Sequence, residues 1–360
     1  MGVLLSIPSP VPVSNRDMFI GDDLLKLFPT LGPILHNPEL EAFFARQEEV
    51  ANKWKHAFVM WGSICLVIVC ALLILLSWRL SLASLSIQFY PIVGYLAAAG
   101  GIIAVAIQIS LVLSSAHSKW LYARFAAERI RLWKYQSFLD GNFLSLLGGS
   151  SEAFNKAFSD RWILFSAQFK GGGGGMDEFI ESSPFELSVT PSHYASPDIF
   201  QEARKAYQIF RLDVQKAHLA YRNKVLKAVD EWTGAAAKIS LLVSGVVVVI
   251  DACLVGVSAI GWINLEGREW TGLLAAILAG SALSLAIVSA GLRVYRNASA
   301  ITEERERYRF KQLHLRRIDD QLKQATDQGE VLALMARAEI LCTEELQEFL
   351  RSLSHADYFL

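Results

Sequence analysis

The chain has 360 residues, 53% of them hydrophobic and 19% charged, with a mean hydropathy of +0.33 and a formal net charge of −1. That balance fits a membrane protein that also carries long water-exposed helices, and the four long apolar runs exclude a wholly soluble enzyme. A near-neutral chain offers no global field to hold nucleic acid, which is therefore not an expected partner.

Residues 1–37 are rich in proline and lack the basic start and apolar core of a signal peptide, so they read as a loose cytoplasmic lead-in. Residues 38–140 read as a helix, a membrane hairpin and a second helix. Phe43, Val50, Trp54 and Phe58 lead in at helical spacing. The apolar runs 58–77 and 91–115 are each long enough to cross a hydrocarbon core of about 30 Å. Within the second run Gly94 precedes Ala98 by four residues and Gly100 precedes Ala104 by four, a spacing that lets helix backbones approach closely. Gln108 in the same run is read as packing glue or as a partner for a membrane-embedded acid. Beyond it, His117, Trp120, Arg124, Glu128 and Arg131 recur every three or four residues and share one juxtamembrane helix face. Arg124 with Glu128, and Glu128 with Arg131, stand at salt-bridge spacing. The face is expected to be an ion-paired packing surface between arms; a docking or lipid-headgroup surface anchored by Trp120 is the alternative.

Residues 141–197 contain Gly148, Gly149, five consecutive glycines at 171–175, and Pro184, Pro191 and Pro197. This is the composition of a cytoplasmic Gly/Pro-rich linker, with short helices around 152–169. No Gly-Lys-Ser/Thr follows the glycine run, so it is not a phosphate-cradling loop.

Residues 198–328 repeat the first pattern. Tyr207, Phe210, Val214, Ala217, Tyr221, Val225, Ala228 and Trp232 form one stripe, followed by the apolar runs 239–263 and 272–292. Asp251 falls near the middle of the third run, where a carboxylate costs about 2.5–3.5 kcal/mol on insertion scales. It marks an ion or proton path, or is a protonated acid hydrogen-bonded across a helix interface. Ala276, Gly280 and Ser284 give the fourth run its small-residue face. After it, Ile301, Tyr308, Leu315, Ile318, Leu322 and Ala325 repeat at helical spacing. Glu304-Arg305-Glu306-Arg307 echoes Glu128-Arg129-Ile130-Arg131 at a similar distance behind a span, and Gln312 echoes Gln136. The pattern reads as a tandem duplication and adds Glu304 and Arg307 to the arm face. In residues 329–360, Val331, Met335, Ala338, Cys342, Phe349 and Leu353 mark a C-terminal amphipathic helix.

The fold expected is an all-α membrane protein, with four transmembrane helices as two hairpins and long cytoplasmic amphipathic arms. Lys53, Lys55, Lys119, Arg124, Lys227, Lys238, Arg293 and Arg296 flank the spans on one side, whereas the loops hold only Arg79, Glu266, Arg268 and Glu269. The positive-inside rule then puts both termini and the central segment in the cytoplasm. Cys65, Cys70, Cys253 and Cys342 form no CxxC or Cys/His cluster, so no disulfide framework or metal site is expected. Nucleophile-elbow, zincin, P-loop and dinucleotide-fingerprint motifs are absent; no catalytic residue or cofactor is named, and enzymatic activity is not expected.

Two motifs carry a resemblance. Glu48-Glu49-Val50-Ala51-Asn52-Lys53-Trp54 precedes the first span, and His117-x-x-Trp120-x-x-x-Arg124-x-x-Ala127-Glu128-x-Ile130-Arg131 follows the second. This pairing resembles the bacterial SLATT-like families, transmembrane effectors associated with SMODS nucleotidyltransferases or SLOG nucleotide-sensing domains. The likeness covers residues 40–138, with the second half as a matching hairpin of a four-span version. It implies an inner-membrane effector of a bacterial defence system that assembles into homo-oligomers and permeabilises the bilayer. No SLOG, TIR or nucleotidyltransferase domain is recognisable in this sequence, so the resemblance implies sensing by a separate sensor protein, by way of an enzyme that makes a signal nucleotide, or by the helical cytoplasmic arms themselves. The alternatives are a membrane scaffold that recruits a soluble enzyme, and a small ion channel or transporter.

Overall fold

The computed structural model describes residues 15–82, 90–149, 151–169, 174–187, 189–259 and 269–354. The first fourteen residues of the expected lead-in, residues 83–89 of the first expected hairpin loop, the end of the third expected span with the loop behind it (260–268), glycines 171–173 and residues 355–360 lie outside the described residues. In chain order the helices are α1 (Asp22–Leu25), α2 (Gly32–Leu35), α3 (Pro38–Leu82), α4 (Tyr90–Ser114), α5 (Ala116–Gln136), α6 (Gly141–Ser145) and α7 (Ser151–Ala167). They continue with α8 (Gly174–Glu181), α9 (Pro197–Ala206), α10 (Val214–Ala259), α11 (Glu269–Ala298), α12 (Ile301–Gln324) and α13 (Gln328–Ser354). A π-helical stretch, Tyr207–Asp213, joins α9 to α10. No strand occurs among the described residues, where an isolated bridge links Asp140 and Ser192.

Four of these helical stretches are long and apolar enough to cross a membrane; they contain the expected spans 58–77 and 272–292 and overlap 91–115 and 239–263. The arms differ in how they join them. α3 and α10 run unbroken into their apolar stretches, but the exits are interrupted. Ser115 (φ 50°) separates α4 from α5, and Ala300 (φ 45°) separates α11 from α12. Left-handed backbone at a side-chain-bearing residue ends a helix, so the arms behind the second and fourth apolar stretches begin as separate helices.

The chain divides into two compact units. One comprises residues 54–117 and 226–302. Inside it, α3 packs against α4 with falling register. A methyl group at Gly94 would lie 3.2 Å from Arg79 Nη1, one at Gly100 2.6 Å from Leu72 Cδ2, and Cys65 donates to Ala104 O at 3.6 Å. α3 also meets α11, where Gly280 lies under Trp78 and Gly291 under Cys70 Sγ. α10 meets α11 through Ser244 Oγ to Ala282 O (2.7 Å) and Ser289 Oγ to Ala237 O (2.8 Å). In each pair the numbers fall on one helix as they rise on the other, so the partners run antiparallel. α3 and α11 each pack on two neighbours in these contacts. α4 and α10 leave wide apolar faces uncovered, as at Ile102 and Leu242.

The close glycines give a direct test. Gly100→Val and Gly291→Val are expected to lower stability by about 1–3 kcal/mol through overpacking. Gly101→Val, with nothing within 4 Å of the new carbon, is expected to be near neutral. Thermal unfolding of the full chain in detergent reads the difference.

The second unit comprises residues 15–53, 118–225 and 303–354 within the described range. Its core is aromatic: Trp133 stacks on Phe165 at 5.2 Å, Phe28 meets Phe210 edge-on at 5.4 Å, and Tyr135 meets Tyr207 at 6.1 Å. Two segments depart from expectation here. The described part of the lead-in is not loose, because Met18, Leu31 and Leu35 are fully buried. The Gly/Pro-rich segment is also more than a linker: Phe143, Phe154, Phe158, Phe165 and Tyr194 enter the same core. Apolar side chains interspersed among helix breakers supply the burial in both cases. Gly141 marks how tightly that segment docks, since a methyl group there would sit 2.5 Å from His193 O.

Candidate functional site

A buried ionic network runs through this second unit. Arg124 pairs with Glu48 (3.0 Å) on α3 and with Glu128 (2.6 Å) on its own helix. Glu128 also holds Arg131 (2.7 Å), and Arg131 Nε reaches Asp17 Oδ2 at 3.0 Å. Asp17 lies 3.9 Å from Arg211, whose guanidinium grips Glu339 through two hydrogen bonds of 2.8 Å. Tyr207 Oη donates to the same carboxylate at 2.7 Å. Lys134 Nζ completes the set by donating to the carbonyls of Asp17, Met18 and Leu35.

Four cations and four carboxylates thus meet in one chain of contacts, most of it shut off from water. Asp17 and Glu339 are both fully buried. Burial pushes the Asp17 carboxyl above its ordinary value, against the pull of Arg131 and Arg211. Burial also opposes the charge of Glu128, yet Arg124 and Arg131 hold it well below the usual carboxylate range. Burial lowers the Lys134 ammonium to about 8. Ion pairs in such surroundings stabilise little beyond what apolar residues would, but breaking one strands its partner at high cost. The arrangement is therefore a charge-balanced buried network in which each charge depends on its neighbours.

Of the expected arm face, Arg124, Glu128 and Arg131 enter this network. Trp120 is buried edge-on to Phe349 (6.4 Å) rather than standing at an exposed interface. His117 stacks on Phe58 at 4.7 Å in the other unit. Glu304 pairs with Arg222 (2.9 Å), and Arg307 donates to Ser352 (2.8 Å) and approaches Glu345 at 4.0 Å. The two sequence echoes thus sit in different surroundings, with Ile130 buried and Glu306 exposed.

Of the polar residues in the expected spans, Gln108 donates to Cys65 Sγ at 3.3 Å. Asp251 is half-buried, seven and fourteen residues beyond Ser244 and Ala237, on the α10 face that packs on α11. Among the small residues, Ala104, Ala276 and Gly280 are buried in helix contacts and Gly94 and Gly100 lie close against α3. Ser284 Oγ turns back to Gly280 O at 2.7 Å, and Ala98 is exposed.

Asp17, Lys134, Arg211 and Glu339 escaped the sequence reading. Glu339 carried a usable signal: it stands four residues after Met335 and three before Cys342, a carboxylate on an apolar stripe. Arg211 stands four after Tyr207, and the π-helical stretch keeps both on the buried side. Asp17 carried none, because nothing local shows that the lead-in folds back.

No protein-family model, no curated protein and no solved structure matches this chain. The likeness to SLATT-like effectors therefore rests on the motifs within residues 40–138.

Proposed function

We propose that this chain is a multi-pass membrane effector of a bacterial defence system, resident in the inner membrane as two transmembrane hairpins. Both termini and the ionic unit face the cytoplasm in this reading. A separate sensor protein, or a signal nucleotide made by a partner enzyme, rearranges the ionic lock. The spans then assemble with those of other copies and permeabilise the bilayer.

The observation that carries the proposal is backbone continuity between lock and span. Glu48 belongs to the same unbroken helix, α3, as the first apolar stretch. Arg211 lies in the π-helical stretch that passes directly into α10 and the third. A change of partners at Glu48 or Arg211 has a covalent route into the membrane segments, and a few kcal/mol suffices to shift such a two-state element. The uncovered apolar faces of α4 and α10 suit lipid or neighbouring copies.

The test is membrane potential, followed with a voltage-sensitive dye in bacteria expressing the chain. Glu339→Leu, which weakens the lock, is expected to depolarise cells within minutes and sooner than the wild type. Asp251→Leu in that background is expected to reduce the flux if the acid lines the path. Membrane-inserted wild-type and Glu339→Leu chains that both leave the potential unchanged would sink the proposal.

A further inference from the structure

Among the described residues, two buried cations stand outside the network: Lys311, which pairs with Glu345 at 2.9 Å, and Arg129, which has no such partner. Arg129 on α5 is 8% exposed, its Nη1 is buried without a hydrogen-bond partner, and no carboxylate among the described residues comes within ion-pair distance. Arg131 and Arg211, comparably buried, each have a carboxylate at 3.0 Å or less. Instead the Arg129 guanidinium lies over the rings of Phe179 (4.9 Å) and Phe165 (5.8 Å). It borders a cavity of about 390 Å³, whose lining includes Phe125, Gln168, Glu178, Phe179 and Ser182. Burial alone pushes the guanidinium down to about 10.

A cation removed from water and left without a counter-ion is costly, and an anion entering the cavity removes that cost. The planar fork of guanidinium N–H groups matches the oxygens of a phosphate or carboxylate. The cavity is in the size range of small-molecule sites and leaves room for an organic body beside the charged group. Phe125 and Phe179, both buried, provide an aromatic wall for it. Glu178 is exposed at the rim, where its carboxylate disfavours a second negative group. We propose that this cavity is a ligand site for a small organic anion, carrying one phosphate or carboxylate group on an aromatic body, with Arg129 as the anion-binding residue.

The inference is independent of the pore reading, because binding is measured without reference to membrane potential. The full chain in detergent is titrated by calorimetry with phenyl phosphate, with benzoate, and with benzyl alcohol as the neutral control. Saturable binding of one or both anions but not of benzyl alcohol is expected, and the stronger anion distinguishes a phosphate from a carboxylate ligand. Arg129→Gln should weaken that binding by about tenfold or more, whereas Arg309→Gln, at an exposed ion pair, should not. A readout that needs no variant is phenylglyoxal labelling of the wild type, in which the bound probe should slow modification at Arg129. No saturable binding of either anion, or equal binding by Arg129→Gln, overturns the proposal. Unaltered labelling of Arg129 at saturating probe does so as well.

Discussion

Glu339→Leu is expected to destabilise the ionic unit by about 3–5 kcal/mol, the range for stranding one member of a buried pair. Arg211 would lose both 2.8 Å bonds to the carboxylate and keep only Asp17, 3.9 Å away. The double variant Glu339→Leu/Arg211→Met should recover most of the loss, because apolar residues of similar size replace a buried pair at little net cost. A double-mutant cycle by urea unfolding of the full chain in detergent measures the coupling. If the single and double variants are equally destabilised, the cost lies in packing around α13 and not in the stranded charge. The same substitution is the one expected to release the spans, so its stability and its effect on membrane potential should move together.

The second large effect is a pH dependence set by Lys134. Its folded value is lowered to about 8, against an ordinary 10.5. Between these two values the unfolded chain holds a proton that the native chain has released. The unfolded state then binds more protons, and stability rises as pH rises through that window. The slope approaches about 1.4 kcal/mol per pH unit, so the whole window is worth about 3 kcal/mol. Lys134→Met should remove this slope. It also leaves the carbonyls of Asp17, Met18 and Leu35 without their donor, which offsets its stability by a constant and leaves the slope comparison intact. Urea midpoints of wild type and variant at pH 7.5, 8.5 and 9.5 separate the two. A difference between them that stays flat over this range would show that Lys134 does not titrate there.

Both effects converge on Asp17, whose carboxylate meets Arg131 and whose backbone carbonyl takes the Lys134 proton donor. The described lead-in is thus the piece that ties α5 to the π-helical stretch. Displacing it would take Asp17 from between Arg131 and Arg211, which keep Glu128 and Glu339, and would leave Lys134 without its three carbonyl acceptors.

How much of this was readable beforehand depended on range. The four apolar stretches are a property of composition over some twenty residues, because backbone groups in a bilayer must be satisfied within the helix. The arms were legible for the same reason: stripes such as Tyr207–Phe210–Val214 need only a helical period. Arg124, Glu128 and Arg131 were found together because their partners include one another, one turn apart on α5.

What the local pattern did not contain was decided by packing between distant parts of the chain. Gly100 and Gly101 are adjacent and look alike, yet one lies against Leu72 and the other faces open space. Gln108 donates to Cys65 because α4 packs on α3, a choice no helical period encodes. Asp17 became the centre of the network only because the lead-in folds onto α5. Sequence by itself determined that the chain is helical and has four stretches able to cross a membrane, since both follow from backbone hydrogen bonding and local apolarity. Tertiary structure alone decided which charges are buried and with which partners, since that cost and its compensation exist only once remote segments have excluded water from between them.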